Sequence, residues 1–313
     1  MSRPTFRRRI GGAITALVTP FRDGVFDGVD MMAHIEWQLL SGIDGLLVCS
    51  LIGESPTLTE AERTRAIEIC IELSEDKVPV IVATGTNDTR TTLEETIQAQ
   101  RLGADAALVT VPYYSKPTQK GIVHHFEQLA AQTELPIIIH NQPAHTGVDL
   151  APATVARLAE IRGIIGIADG GSDISRVDVW RPLLPERFGL FTSNDASAIG
   201  FTAAGGHGCF SGAANIVPRL FQSMQHSAAC SNVGAAQSID ERLQPLFSAL
   251  GRESEPATVK HALSLVRDIE GEVRLPLVGI GTETAAAIQA AIAPFQLDGS
   301  GRFASRHAYR RGL

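Results

Sequence analysis

Eight short β-branched runs alternate with longer amphipathic ones, an internal repeat of about 60 residues is present, and no Gly-x-Gly-x-x-Gly follows any early run. Together these predict an α/β protein, a (β/α)8 TIM barrel with a C-terminal helical appendage. Strands are expected at 14–18, 45–49, 80–84, 107–111, 137–140, 164–168, 190–192 and 209–211. Helical patterns between them cover 59–74, 91–102 and 119–133. The first opens on Thr59 with Glu62 three residues on, so that each side chain can satisfy a free backbone amide of the other.

The repeat supports the barrel over an open sheet. Gly42-Ile43-Asp44-Gly45-Leu46-Leu47-Val48 returns as Gly103-Ala104-Asp105-Ala106-Ala107-Leu108-Val109, and Pro79-Val80-Ile81-Val82 as Pro136-Ile137-Ile138-Ile139. Each leading Gly is placed to end a helix, and the apolar run after it to enter the core. Four such quarters close near residue 230. Beyond it strand signals stop, and 239–250, 255–269 and 283–293 read as helices punctuated by Pro245, Pro256 and Pro276. The expected organisation is a basic tail over 1–9, the barrel over 10–230, a three-helix segment over 231–295 and a trailing tail over 296–313.

Composition narrows the function classes. The chain has 313 residues, 44% of them hydrophobic and 19% charged, which is globular usage and excludes a disordered or fibrous protein. Net charge is −7, and eight arginines are confined to the two ends (Arg3, Arg7, Arg8, Arg9, Arg302, Arg306, Arg310, Arg311), so the body is more acidic still. That argues against nucleic acid as a partner, because such binding rests on neutralising phosphates. The 4 cysteines form no Cys-x-x-Cys pair and read as reduced thiols of a cytoplasmic protein. No apolar segment follows the N-terminal arginines, so no secretory signal is expected. The uncharged stretch 196–218 holds glycines, His207 and Asn215 and reads as a buried helix-to-strand passage, not a membrane span.

Barrel chemistry gathers at the C-terminal ends of the strands. The polar residues there are Thr19, then Ser50, Gly53, Glu54 and Ser55, then Tyr113, Tyr114 and Lys116, then His140, Asn141 and His145, and finally Asp169, Asn194 and Asp195. His140 and Tyr114 are acid–base types, and an imidazole titrating near neutrality suits proton transfer. Blander roles compete. Gly53 and Glu54 also fit a loop-shaping role, Asp195 a structural one, and Cys49 and Cys209 fit a core better than a nucleophile. His140, His145, Asp169 and Asp195 are acceptable metal ligands, but no spacing signature supports a site, so neither metal nor other cofactor is expected.

The same segments carry a family resemblance. The runs ITALVTPF, GES with Leu58-Thr59, VTVPYYSKP, HNQPAHTGVDL, GGHG and AANIVP resemble, in order and spacing, the dihydrodipicolinate synthase / N-acetylneuraminate lyase family over about residues 10 to 295. The resemblance implies a lyase or aldolase whose lysine forms a Schiff base with an α-keto acid, and a homo-oligomer built as a dimer of dimers. Here the Gly-Ile-Lys context ending the sixth strand reads Gly166-Ile167-Ala168-Asp169, and an alanine cannot form an imine. The remaining lysines are Lys77, Lys116, Lys120 and Lys260; only Lys116 is placed on the mouth side. The family's strand-five tyrosine is His140, its carboxylate-binding loop is Ser50-Leu51-Ile52-Gly53-Glu54, and its second-substrate arginine is His145. Tyr114 keeps the position that crosses the dimer contact.

The expected site is therefore His140 and Tyr114 as catalytic groups. Ser50, Leu51, Ile52, Gly53, Glu54, Asn141, His145, Ala168, Asp169 and Asn194 are expected to surround a small-molecule ligand. The functional expectation is a diverged lyase-type enzyme acting on a small oxygenated substrate without a Schiff base. The alternative is a non-catalytic ligand-binding or regulatory protein, and a conventional pyruvate-dependent lyase comes third.

Overall fold

The computed structural model describes residues 10–75 and 77–297. The basic tail expected over 1–9 lies outside them, as does all but the start of the tail expected over 296–313. Eight parallel strands close into a barrel: β1 Gly12–Ala16, β2 Gly45–Val48, β3 Val80–Ala83, β4 Ala106–Thr110, β5 Ile137–Asn141, β6 Ile164–Asp169, β7 Gly189–Thr192 and β8 Gly208–Ser211. Each pairs with its sequence neighbours and β1 closes on β8. Every strand lies where the apolar runs place it, with ends moved by one or two residues.

Eight helices follow the strands: α1 Gly28–Leu40, α2 Glu60–Leu73, α3 Thr89–Leu102, α4 Gln119–Gln132, α5 Pro152–Ala159, α6 Arg176–Trp180, α7 Ala198–Ala203 and α8 Pro218–Ala229. The capping arrangement at Thr59 forms: the Thr59 amide donates to Glu62 Oε2 at 2.9 Å, and the Glu62 amide to Thr59 Oγ1 at 3.3 Å. Gly103 ends α3 at φ +102°, where its amide reaches the carbonyls of Ala99 and Gln100.

The repeat has a physical reason. Asp44 Oδ2 accepts the amide of Ala13 at 2.9 Å, and Asp105 Oδ2 accepts that of Val80 at 2.8 Å. Each aspartate returns its own amide to the same neighbour's carbonyl. The repeated Asp thus pins the start of the preceding strand and fixes the barrel's stagger. The interior is filled by side chains. The ring of Phe191 occupies the space over Gly166 and Gly189, and a Cβ on Gly166 would fall 2.9 Å from that ring and 2.7 Å from the Gly189 carbonyl oxygen.

After the barrel come α9 Val233–Leu250, α10 Glu255–Val266 and α11 Thr282–Leu297. Pro245 lies inside α9 rather than bounding it: an interior proline loses an amide donor and crowds the turn before it, at a cost of about 3 kcal/mol, and α9 is held on α8 and α11 by buried Leu243, Leu246 and Phe247. Between α10 and α11 a non-helical segment carries Glu272 and Arg274 across the mouth of the barrel to the short antiparallel pairing of Phe21–Arg22 with Val25–Phe26.

Candidate active site

Register sets which side chains meet. Thr110, His140, Ala168 and Phe191 are partners across β4, β5, β6 and β7, so they share one face. Ala168 is fully buried. His140 Nδ1 lies 3.2 Å from Thr110 Oγ1, and His140 Nε2 lies 3.0 Å from Ser193 Oγ, one residue past β7. Burial pulls the His140 imidazole down to about 4, helped by the nearby His145. Desolvation thus favours the uncharged ring, against the expectation of a histidine titrating near neutrality. His145 is exposed in the single helical turn Pro143–Thr146.

The residues one step along face the other way. Asn141 pairs with Asp169, and Asp169 with Thr192. Asn141 Nδ2 donates to Asp169 Oδ1 at 2.7 Å and to Asp149 Oδ1 at 2.8 Å. Arg176 grips Asp149 with two bonds of 2.9 Å, and its Nε is 3.4 Å from Asp169 Oδ2. The two-residue alternation of a strand thus places Asn141 and Asp169 in a network that ties the β5 and β6 ends to α6, not beside His140. Asn194 is likewise occupied, its side chain accepting the Ser197 amide at 3.2 Å.

The loop after β2 is fixed by charge. Cys49 and Glu54 both take left-handed φ, +59° and +52°. Gly53 between them is required, because a Cβ there would fall 2.9 Å from the Leu17 carbonyl oxygen. Glu54 is buried; it meets Lys260 Nζ of α10 at 2.5 Å and accepts the Arg274 amide at 2.9 Å. Lys260 Nζ also donates to the Glu272 carbonyl at 2.7 Å. The Lys260 ammonium and the Arg274 guanidinium lie 3.9 and 4.1 Å from the centre of the Phe21 ring. Burial lowers Lys260 to about 8, against the pull of Glu54. Glu54 is thereby engaged by the fold through both of its carboxylate oxygens. Ile52 is buried beneath Gly212, Leu51 is 46% exposed, and the buried Ser50 hydroxyl has no hydrogen-bond partner among the described residues.

Tyr114 is 90% exposed at φ +69° and makes no bond with His140, whose partners are Thr110 and Ser193. The chain alone does not bring the two expected catalytic groups together. On the β7–β8 side, Asp195 accepts the Ala213 amide at 2.8 Å and the Cys209 thiol at 3.8 Å, while Glu255 of α10 reaches Gly212. Burial raises Asp195 to about 6; burial and the charge of Asp195 raise Glu255 to about 7. Among the described residues no three His, Cys, Asp or Glu side chains assemble as a metal site, and no helix is long and apolar enough to cross a membrane.

Sequence reasoning passed over Thr110, Ser193, Glu255 and Arg274, and it left Lys260 on its helix. Ser193 could have been found as the residue directly after the seventh apolar run. The others depend on side-chain reach from distant segments.

Comparison with known proteins agrees with this architecture. The family model described as "Dihydrodipicolinate synthetase family" matches residues 9–294. A 4-hydroxy-tetrahydrodipicolinate synthase of Chelativorans sp. is 42% identical over 90% of this chain and 97% of its own length. One of Methylobacterium radiotolerans is 41% identical over 88% of this chain and 92% of its own. The crystal structure of the chloride-inhibited dihydrodipicolinate synthase from Acinetobacter baumannii complexed with pyruvate superposes with a TM-score of 0.89 at 34% identity, over 91% of this chain and 98% of that one.

Proposed function

Because the chain belongs to the dihydrodipicolinate synthetase family yet holds a fully buried alanine, Ala168, at the end of its sixth strand, we propose that it is a lyase-type enzyme that works without a Schiff base. The observation that carries this is Ala168 itself. A methyl group cannot condense with a keto acid to make the electron sink that an iminium provides. The two lysines near the mouth are placed elsewhere: Lys260 is buried in its contact with Glu54, and Lys116 is exposed on the loop after β4, its stem against Gly147. The substrate is a small oxygenated molecule whose proton transfers pass through neutral His140. At the Leu51-Ile52 loop two hydrocarbon side chains offer no donor to a carboxylate. The expected assembly is a homo-oligomer, in which Tyr114 would find cover.

The second reading is the reaction for which the relatives are named, favoured by identities of 41% and 42% across nearly the whole chain. A thermal-shift screen against keto acids, sugar acids, lactones and aldehydes separates the two. A ligand that binds only the folded protein stabilises it by about 2.7 kcal/mol at a hundredfold excess over Kd. The expected result is a shift with a lactone, sugar acid or aldehyde that disappears in His140→Ala. A shift with pyruvate alone, retained in His140→Ala, supports the relatives' reaction instead.

A further inference from the structure

The bond between His140 and Ser193 joins β5 to the residue after β7 and therefore spans β6, where Ala168 is the register partner of His140 and of Phe191, two residues before Ser193. A long side chain at 168 would occupy that path; a single methyl leaves it open. On the other ring nitrogen His140 meets Thr110 of β4. Three groups that no comparison assigns thus form one hydrogen-bonded line, hydroxyl–imidazole–hydroxyl, in the place from which the amine is missing. Thr110, His140 and Ser193 are all partly exposed.

We propose that Thr110, His140 and Ser193 form a proton relay that works by exchange of the imidazole tautomer, with Ser193 the end that meets substrate and Thr110 the positioning end. This rests on the reading that the chain acts without an imine. A hydroxyl can donate to an imidazole nitrogen or accept from it, so the line has two complementary states. In one, Thr110 donates to Nδ1 and Nε2–H donates to Ser193. Ser193 then passes its proton to a substrate oxygen and receives the one on Nε2. Nδ1 takes the proton of Thr110, and Thr110 is refilled by water, which is left as hydroxide. The ring begins and ends neutral, with its hydrogen moved from Nε2 to Nδ1. In the reverse direction, from the Nδ1–H tautomer, Ser193 gives its proton to Nε2 as it takes one from substrate, Nδ1 gives its proton to Thr110, and Thr110 gives its own to water. A ring whose charged form is disfavoured by burial can move protons in this way at neutral pH, where an imidazolium cycle is closed to it. All three bonded groups are neutral, so the substrate end that fits is an uncharged hydroxyl or carbonyl of a small molecule.

The test is nitrogen-15 NMR of the imidazoles in the whole, ligand-free protein between about pH 5 and pH 8. His140 is identified by its loss in His140→Gln. The titratable group facing it is His145 of the turn after β5, and His145→Asn removes any response that His145 imposes. The relay predicts an uncharged ring across this range, with both nitrogens at shifts averaged between protonated and bare. Ser193→Ala should collapse them onto one tautomer, Ser193→Thr should restore the average, and Thr110→Val should collapse them independently. A ring that becomes charged within the range, or a single fixed tautomer untouched by Ser193→Ala and Thr110→Val, overturns the proposal. Because no turnover is read, failure here is distinct from failure of the imine-free reading, which is decided by covalent trapping.

Discussion

On the β1–β2 side of the mouth, Glu54, Lys260, Arg274 and Phe21 are locked by a buried ion pair and two cation–ring contacts; on the β4–β7 side, Thr110, His140 and Ser193 meet only through neutral hydrogen bonds. The first sector is bound to the C-terminal segment and has its charges spent. The second lies in the barrel's own interior and keeps three groups that can each give or take a proton. A buried charge is held hard by its partner, whereas a neutral hydroxyl or imidazole can exchange roles at small cost. The mouth thus separates the part that must not move from the part that can react.

The largest test of this contrast is Lys260→Met. It leaves Glu54 buried without its cation, and urea unfolding should show a loss of about 3–5 kcal/mol. A loss no larger than that of an ordinary surface change would mean the sector is not locked by charge.

Glu255 and Asp195 sharpen the comparison, because their carboxyls are half-buried close together, with no cation paired to either among the described residues. A carboxyl whose pKa is raised in the fold favours its protonated form, so stability is full below the ordinary value near 4.5 and falls as pH rises through about 7. Glu255→Gln mimics the protonated state and should stabilise the protein by about 1–3 kcal/mol at pH 8, with the gain vanishing towards pH 4. Melting curves at the two pH values decide it; a gain independent of pH would remove the electrostatic explanation. Gly166→Ala, which drives a Cβ against the Phe191 ring and the Gly189 carbonyl, should cost about 1–3 kcal/mol by overpacking the barrel under the neutral sector. The smallest effect is expected at Ser193. Its replacement by alanine removes one half-buried neutral hydrogen bond and should cost about 0.5–1.5 kcal/mol while abolishing a ligand-induced thermal shift.

The barrel was legible because buried parallel strands are written as continuous apolar runs and their helices end on glycine, and Gly42 and Gly103 mark two of those ends. The site was legible only in part. His140 and Ala168 stand out as residues on one strand face. Asn141 and Asp169, adjacent to them, are turned outward by alternation, which a list of strand-end residues cannot distinguish. Lys260 and Arg274 reach the mouth from more than 200 residues beyond Glu54, and nothing in local sequence marks such a contact. The two-residue pairing at Phe21–Arg22 and Val25–Phe26 is too short to leave a periodic signal.

The most direct measurement is covalent trapping. The purified protein is incubated with pyruvate, reduced with borohydride and weighed intact by mass spectrometry. With Ala168 at the end of β6 and Lys260 engaged by Glu54, the mass should stay that of the unmodified chain. A reduced-pyruvate adduct mapped to Lys116 or Lys260 would contradict the account and return the protein to the imine chemistry of its relatives.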